Sequence, residues 1–113
     1  MTLERQLRNM MIWIKLFWLL VGHAVADYPL QGDFLAKAKN AWAPIPEIDW
    51  RIAMAAHCAM HAGVVMLVTH SFIVAMAEFI LHFGIDVLKC AGKTNFRQDQ
   101  AMHVICKVAW AIA

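Results

Sequence analysis

Four pairs of side chains could carry chemistry in this sequence: His23 with Asp27, His57 with His61, His82 with Asp86, and Asp99 with His103. The members of each pair are four residues apart, about one helical turn, so on a helix they share a face. Imidazole and carboxylate are ligands for zinc, iron and manganese, and a bundle of helices can present them inward to one or two ions. Zinc is the first expectation, with iron and manganese as the alternatives. A carboxylate left over from ligation, with Asp86 and Asp99 as the candidates, could act as general base toward a metal-activated water. Gln31, Asp33 and Gln100 lie beside the pairs in the chain and could orient a ligand imidazole from behind.

The surrounding sequence has to position these groups. It is 62% hydrophobic over 113 residues, with a formal charge of +2. Apolar runs cover about 10–26, 52–69, 72–88 and 99–113, each with one of the pairs near one end. Pro29 closes the first run, and Pro44 and Pro46 precede the second. Between them Leu30, Phe34, Leu35, Ala38 and Trp42 recur at helical spacing, which predicts a short amphipathic helix over about 30–42 lying at a membrane surface. A tight turn is expected at Thr69-His70-Ser71, and Thr94 or Asp99 is expected to cap the last helix.

The expected fold is all-α: one domain over 1–113, a four-helix transmembrane bundle of two hairpins with the interfacial helix after the first span. A small soluble four-helix bundle with an unusually apolar surface is the alternative. If the helices alternate in direction, all four pairs fall at one end. The loops there carry Lys37, Lys39, Arg51, Lys89, Lys93 and Arg97. The positive-inside rule puts that end on the cytoplasmic side of a bacterial inner membrane.

Composition also excludes. The charge is small and no basic stripe is interleaved with aromatics, so nucleic acid is not an expected partner. Cys58, Cys90 and Cys106 lack CxxC spacing and are odd in number, which reads as reduced thiols. Glu4 interrupts the basic N-terminal stretch, so the first apolar run is read as retained rather than as a cleaved signal. Ionisable residues inside apolar helices usually have a functional reason. Glu78 and Lys107 are expected as a buried ion pair. Lys15 is expected at a similar depth, snorkelling. Gly22, Gly63 and Gly84 are candidates for close helix contact.

The segments GHAVADYPLQGDFLAKAKN (22–40), AAHCAMHAG (55–63), LHFGIDVLK (81–89) and DQAMH (99–103) together resemble an uncharacterised family of small bacterial and phage integral membrane proteins, known only as a domain of unknown function. The resemblance implies a polytopic helical membrane protein with these His and Asp positions as its signature, and it implies no activity.

Three functions fit these features. The first is a metal-binding membrane protein, with metal-dependent hydrolysis at the membrane surface as its enzymatic form. The second is a homo-oligomeric transporter or channel for a metal ion or proton. The third is a non-catalytic phage-type protein that binds a host membrane partner, its His/Asp network only holding the fold together. In all three the lipid bilayer is a partner.

Overall fold

The computed structural model describes all 113 residues and contains five helices: α1 (Leu3–Asp27), α2 (Gly32–Ala38), α3 (Trp50–Thr69), α4 (Phe72–Cys90) and α5 (Phe96–Ile112). Each of the long helices starts on a side-chain cap. Thr2 accepts from the Arg5 amide, Asp49 from the Arg51 amide, and Ser71 from the Val74 amide. Hydrogen bonds from Arg51 also hold Asp49 below the usual carboxylate range, which keeps that cap charged. The last helix is capped by Asn95 in a reciprocal box with Gln98, not by Thr94 or Asp99 as the sequence suggested. Asp99 sits in the first turn of α5, buried.

The surface helix is shorter than expected. It starts at Gly32, whose φ of 63° is left-handed and favours glycine, and it ends at Ala38. The chain then turns through Lys39 and Asn40. The α3–α4 turn is where the sequence put it: His70 closes α3 in the left-handed region, and Ser71 opens α4.

The four long helices form a closed ring in the order α1, α3, α4, α5, with α5 returning to α1, while α2 packs on α3. Near the α3–α4 turn the interior is apolar: Leu19, Val65, Ala75 and Ala111. Toward the other end it is polar. Ten of the twenty buried residues are polar or charged, so half of what this protein hides is its candidate site. Outside, the pattern reverses, with Leu67, Ile73, Ile80 and Ile105 each more than 60% exposed.

By length and composition, α1 and α3 can cross a membrane. α4 carries Glu78, Asp86 and Lys89 in 19 residues, and α5 has 17 residues with Arg97, Asp99 and Lys107. These two do not show themselves as spans by the same measure, so the expected four-span bundle is seen here as five helices with two such candidates.

Of the three candidate glycines, Gly22 alone makes a close approach, because a Cβ there would overlap Val64 Cγ1 across the α1–α3 contact. Gly63 and Gly84 face nothing within 4 Å and play no such part. Gly22→Ala should therefore cost about 1–3 kcal/mol through overpacking, despite alanine's better helix propensity. Denaturant unfolding of the variant checks this, and adding Val64→Ala should recover most of the loss.

Candidate metal centre

Helix periodicity carries each pair inward, and the ring closes the pairs on one another. The centre is densest around His57. Its Nε2 lies 3.1 Å from His82 Nε2, 3.2 Å from Asp86 Oδ2 and 3.4 Å from Asp27 Oδ1. Asp27 Oδ1 is also 2.9 Å from His61 Nε2. On the other side, Asp86 Oδ1 lies 3.0 Å from His103 Nε2 and 3.6 Å from His82 Nε2. The His61 and His82 rings stack with centroids 3.8 Å apart, and His82 stacks on His103 at 4.1 Å.

Two groups of ligand atoms are close enough to share an ion: Asp27, His57, His61 and His82, and then His82, Asp86 and His103. Six of the eight expected ligands thus fall into these groups. The other two stand beside them. His23 Nε2 is 3.3 Å from Asp27 Oδ2 and 3.1 Å from Gln100 Oε1. Asp99 Oδ1 is 3.5 Å from His103 Nε2 and accepts no hydrogen bond.

Around the pairs lies a shell of charges and amides. Gln100 Nε2 donates to Asp27 Oδ2 and to Asp99 Oδ2, both at 3.1 Å, and so ties α5 to α1. Gln31 instead donates to the Asp27 backbone carbonyl, with its Oε1 unpartnered, and touches no imidazole. Asp33 is not brought to the centre. It points outward from α2 and pairs with exposed Lys37.

Glu78 and Lys107 meet at 2.6 Å deep in the bundle. Glu78 does more than neutralise that lysine. Its Oε1 is 3.1 Å from His82 Nδ1, and its Oε2 accepts from Trp110 Nε1 at 2.6 Å. A carboxylate behind a ligand imidazole fixes the tautomer and aims Nε2 at the centre. The Glu78–His82 spacing is again four residues, so the sequence held this signal. Lys15 does not share the level of Glu78 and Lys107. It lines a cleft with Thr69 and His70 at the opposite end.

Lys39 had no signal in the sequence. A lysine in a polar loop reads as solvated, yet this one is 8% exposed and donates to Asp86 Oδ2 at 2.6 Å. Beside it a polar cleft of about 210 Å³, bordered by Gln31, Asn40 and Lys89, reaches Asp86 from the surface.

The buried lysines alone do not balance the enclosed carboxylates. Asp27, Glu78, Asp86 and Asp99 are enclosed here, and two buried lysines answer them, Lys39 and Lys107. With neutral imidazoles, two negative charges remain. Lys89, half-exposed and 3.9 Å from Asp99, compensates weakly at the rim.

A family profile described as "Protein of unknown function (DUF3307)" matches residues 15–113, a stretch that contains every residue of the centre. No curated protein and no solved structure matches the chain.

Proposed function

This chain belongs to the DUF3307 family of proteins of unknown function, and we propose that it is a membrane-embedded metalloprotein holding one divalent cation among Asp27, His57, His61 and His82. The observation that carries this is His57 Nε2. Three acceptor-type atoms lie 3.1–3.4 Å from it, and a single ring N–H can satisfy one of them. A cation held with His57 takes two of them as ligands, Asp27 Oδ1 and His82 Nε2, and leaves Asp86 Oδ2 to Lys39. Metal–nitrogen bonds of about 2.0–2.1 Å in a tetrahedron give ligand–ligand edges of roughly 3.3 Å. Three of the six edges, at 2.9, 3.1 and 3.4 Å, bracket that value, and all the ligand atoms lie within 4.8 Å of one another. A divalent ion would also match the two negative charges that Lys39 and Lys107 leave when the imidazoles are neutral.

Three imidazoles and one carboxylate in a tetrahedron suit zinc, and with all four positions filled by protein they suit a structural ion. One imidazole Nε2 serves one ion, so His82 cannot complete both groups. A second ion would rest on Asp86, His103 and Asp99. Iron or manganese, with more positions to fill, would draw in Asp86 and keep one open. Hydrolysis is the reading that needs such an opening. It is favoured by the cleft that reaches Asp86 and by Asp99 Oδ1, an acceptor still without a donor. A divalent cation there supplies Lewis-acid and water-activating chemistry. Transport has less support: the polar contacts stop at Lys107 and Trp110, before the apolar cluster of Leu19, Val65, Ala75 and Ala111.

The membrane reading extends to all four long helices. The charges within α4 and α5 that point inward are Glu78, paired with Lys107, Asp86, paired with Lys39, and Asp99, while Lys89 and Arg97 are exposed near the metal end. What faces outward is apolar, as lipid requires. The basic loops at the metal end favour a cytoplasmic position for that end under the positive-inside rule.

Elemental analysis of the detergent-purified protein tests the metal. Wild type should carry about one divalent ion per chain. His57→Ala/His61→Ala should keep its helical circular dichroism and carry none. Wild type without metal, even after reconstitution with zinc, iron and manganese, would overturn the reading.

A further inference from the structure

The largest cavity lies far from the metal centre and takes no part in it. It is a cleft of about 550 Å³ between α1 and the end of α3, lined by Met11, Trp18 and Leu67 with Lys15 and His70 at the turn. Its volume falls within the range of about 300–1,000 Å³ usual for ligand pockets. We propose that it is a binding site for one anionic phospholipid, with the phosphate on Lys15 and an acyl chain along Trp18 and Leu67. The proposal rests on the membrane reading above and is independent of the metal.

The charge at the cleft is what points to an anion. Lys39 and Lys107 are buried against Asp86 and Glu78, and even Lys89 has Asp99 within 4 Å. Lys15 is half-buried and has no acidic partner at all, and no acidic residue lines the cleft. A lysine stem laid along apolar surface, with its ammonium left over, seeks an anion at the rim. The imidazole of His70 stands at the same rim and is exposed. Thr69 is already engaged, donating to the Val65 carbonyl at 2.8 Å and accepting from the Ser71 amide.

Depth makes the anion a lipid phosphate. From Trp50 to Thr69, α3 rises about 28 Å, close to a hydrocarbon core of about 30 Å. On α1, Lys15 lies about 18 Å from Asp27 at the metal end. The α1–α3 register is set by Gly22 against Val64, which leaves Lys15 beside Thr69 and His70. The cleft thus opens at the headgroup level of the leaflet opposite the metal. There its apolar part meets acyl chains and its ammonium meets phosphates. One lysine near a membrane surface favours an anionic over a zwitterionic lipid by about fivefold.

Native mass spectrometry of protein released from nanodiscs of equal phosphatidylglycerol and phosphatidylcholine tests the site. Wild type should retain one phosphatidylglycerol over phosphatidylcholine by about fivefold. Lys15→Gln should retain the two equally, and Lys93→Gln, at the metal end, should keep the wild-type preference. Lys15 has no partner to lose, so its variant should fold and bind metal as wild type does. Equal retention in wild type, or a preference surviving Lys15→Gln, would overturn the lipid site and leave the membrane reading intact. Recovery of the protein without detergent, free of membranes, would overturn both.

Discussion

Chelation with EDTA is expected to lower the unfolding free energy of the purified protein by about 4 kcal/mol, the stabilisation given by an ion present at about a thousand times its dissociation constant. Asp27→Asn should be insensitive to the same treatment. The reasoning is electrostatic. Four enclosed carboxylates face two buried lysines, and without a cation the remaining charge must be held in the bundle or neutralised by protons. Asp27→Asn removes one of those charges and one ligand together. It also weakens the contacts that Asp27 makes to His61 and Gln100. If the cluster were a hydrogen-bonded staple and nothing more, EDTA would leave wild type unchanged. The variant would then lose about 1.5–3 kcal/mol, the worth of hydrogen bonds to a charged group, with or without the chelator. Denaturant unfolding of both proteins, each with and without EDTA, separates the two cases.

The sequence shows the residues of this centre more clearly than their arrangement, and helix geometry explains why. A side chain's face follows from its residue number, so four pairs at i and i+4 announce four inward-facing sites before any packing is known. Alternating helix direction then places them at one end. What the spacing cannot say is which pair touches which. That depends on the ring order, with α5 closing on α1, and so the role of Gln100 as a bridge between Asp27 and Asp99 emerges only in three dimensions. Lys39 was hidden for a different reason. Its burial depends on where the short α2 lands, and α2 ends four residues before the expected boundary because the chain turns at Lys39 to meet Asp86. The cap of α5 shows the limit of local signals. Thr94, Asn95 and Asp99 are all cap-forming types, and the reciprocal bond with Gln98 selects Asn95. Depth along α1 alone puts Lys15 level with Glu78 and Lys107, whereas the cleft it lines lies at the α3–α4 turn. The contact of Gly22 with Val64 sets the register against α3.

Lys107→Met should cost about 3–5 kcal/mol, the usual loss when one member of a buried ion pair is removed. Glu78 would remain 1% exposed with its negative charge unanswered. Adding Glu78→Met removes that charge, and well-packed apolar replacements for a buried pair are often neutral or better. The double variant should therefore recover most of the loss, remaining about 1–3 kcal/mol below wild type because the Trp110 indole N–H has lost its acceptor. Trp110→Phe in the same background should close that gap. Stability alone would suggest that the triad is dispensable. Metal affinity should say otherwise: with no carboxylate behind His82 Nδ1, the double and triple variants should bind the ion about 10–100-fold more weakly than wild type. Glu78→Gln/Lys107→Met supplies the contrast. It keeps an amide oxygen able to accept from His82 and removes both charges, so it should retain more of the affinity than the methionine pair. Competition titration against a chromogenic chelator, beside denaturant unfolding of the metal-free proteins, measures the two quantities separately. A triad that only held the helices together would change the stability and leave the affinity of the folded protein where it was. A triad that aims His82 moves the affinity after the stability has been restored.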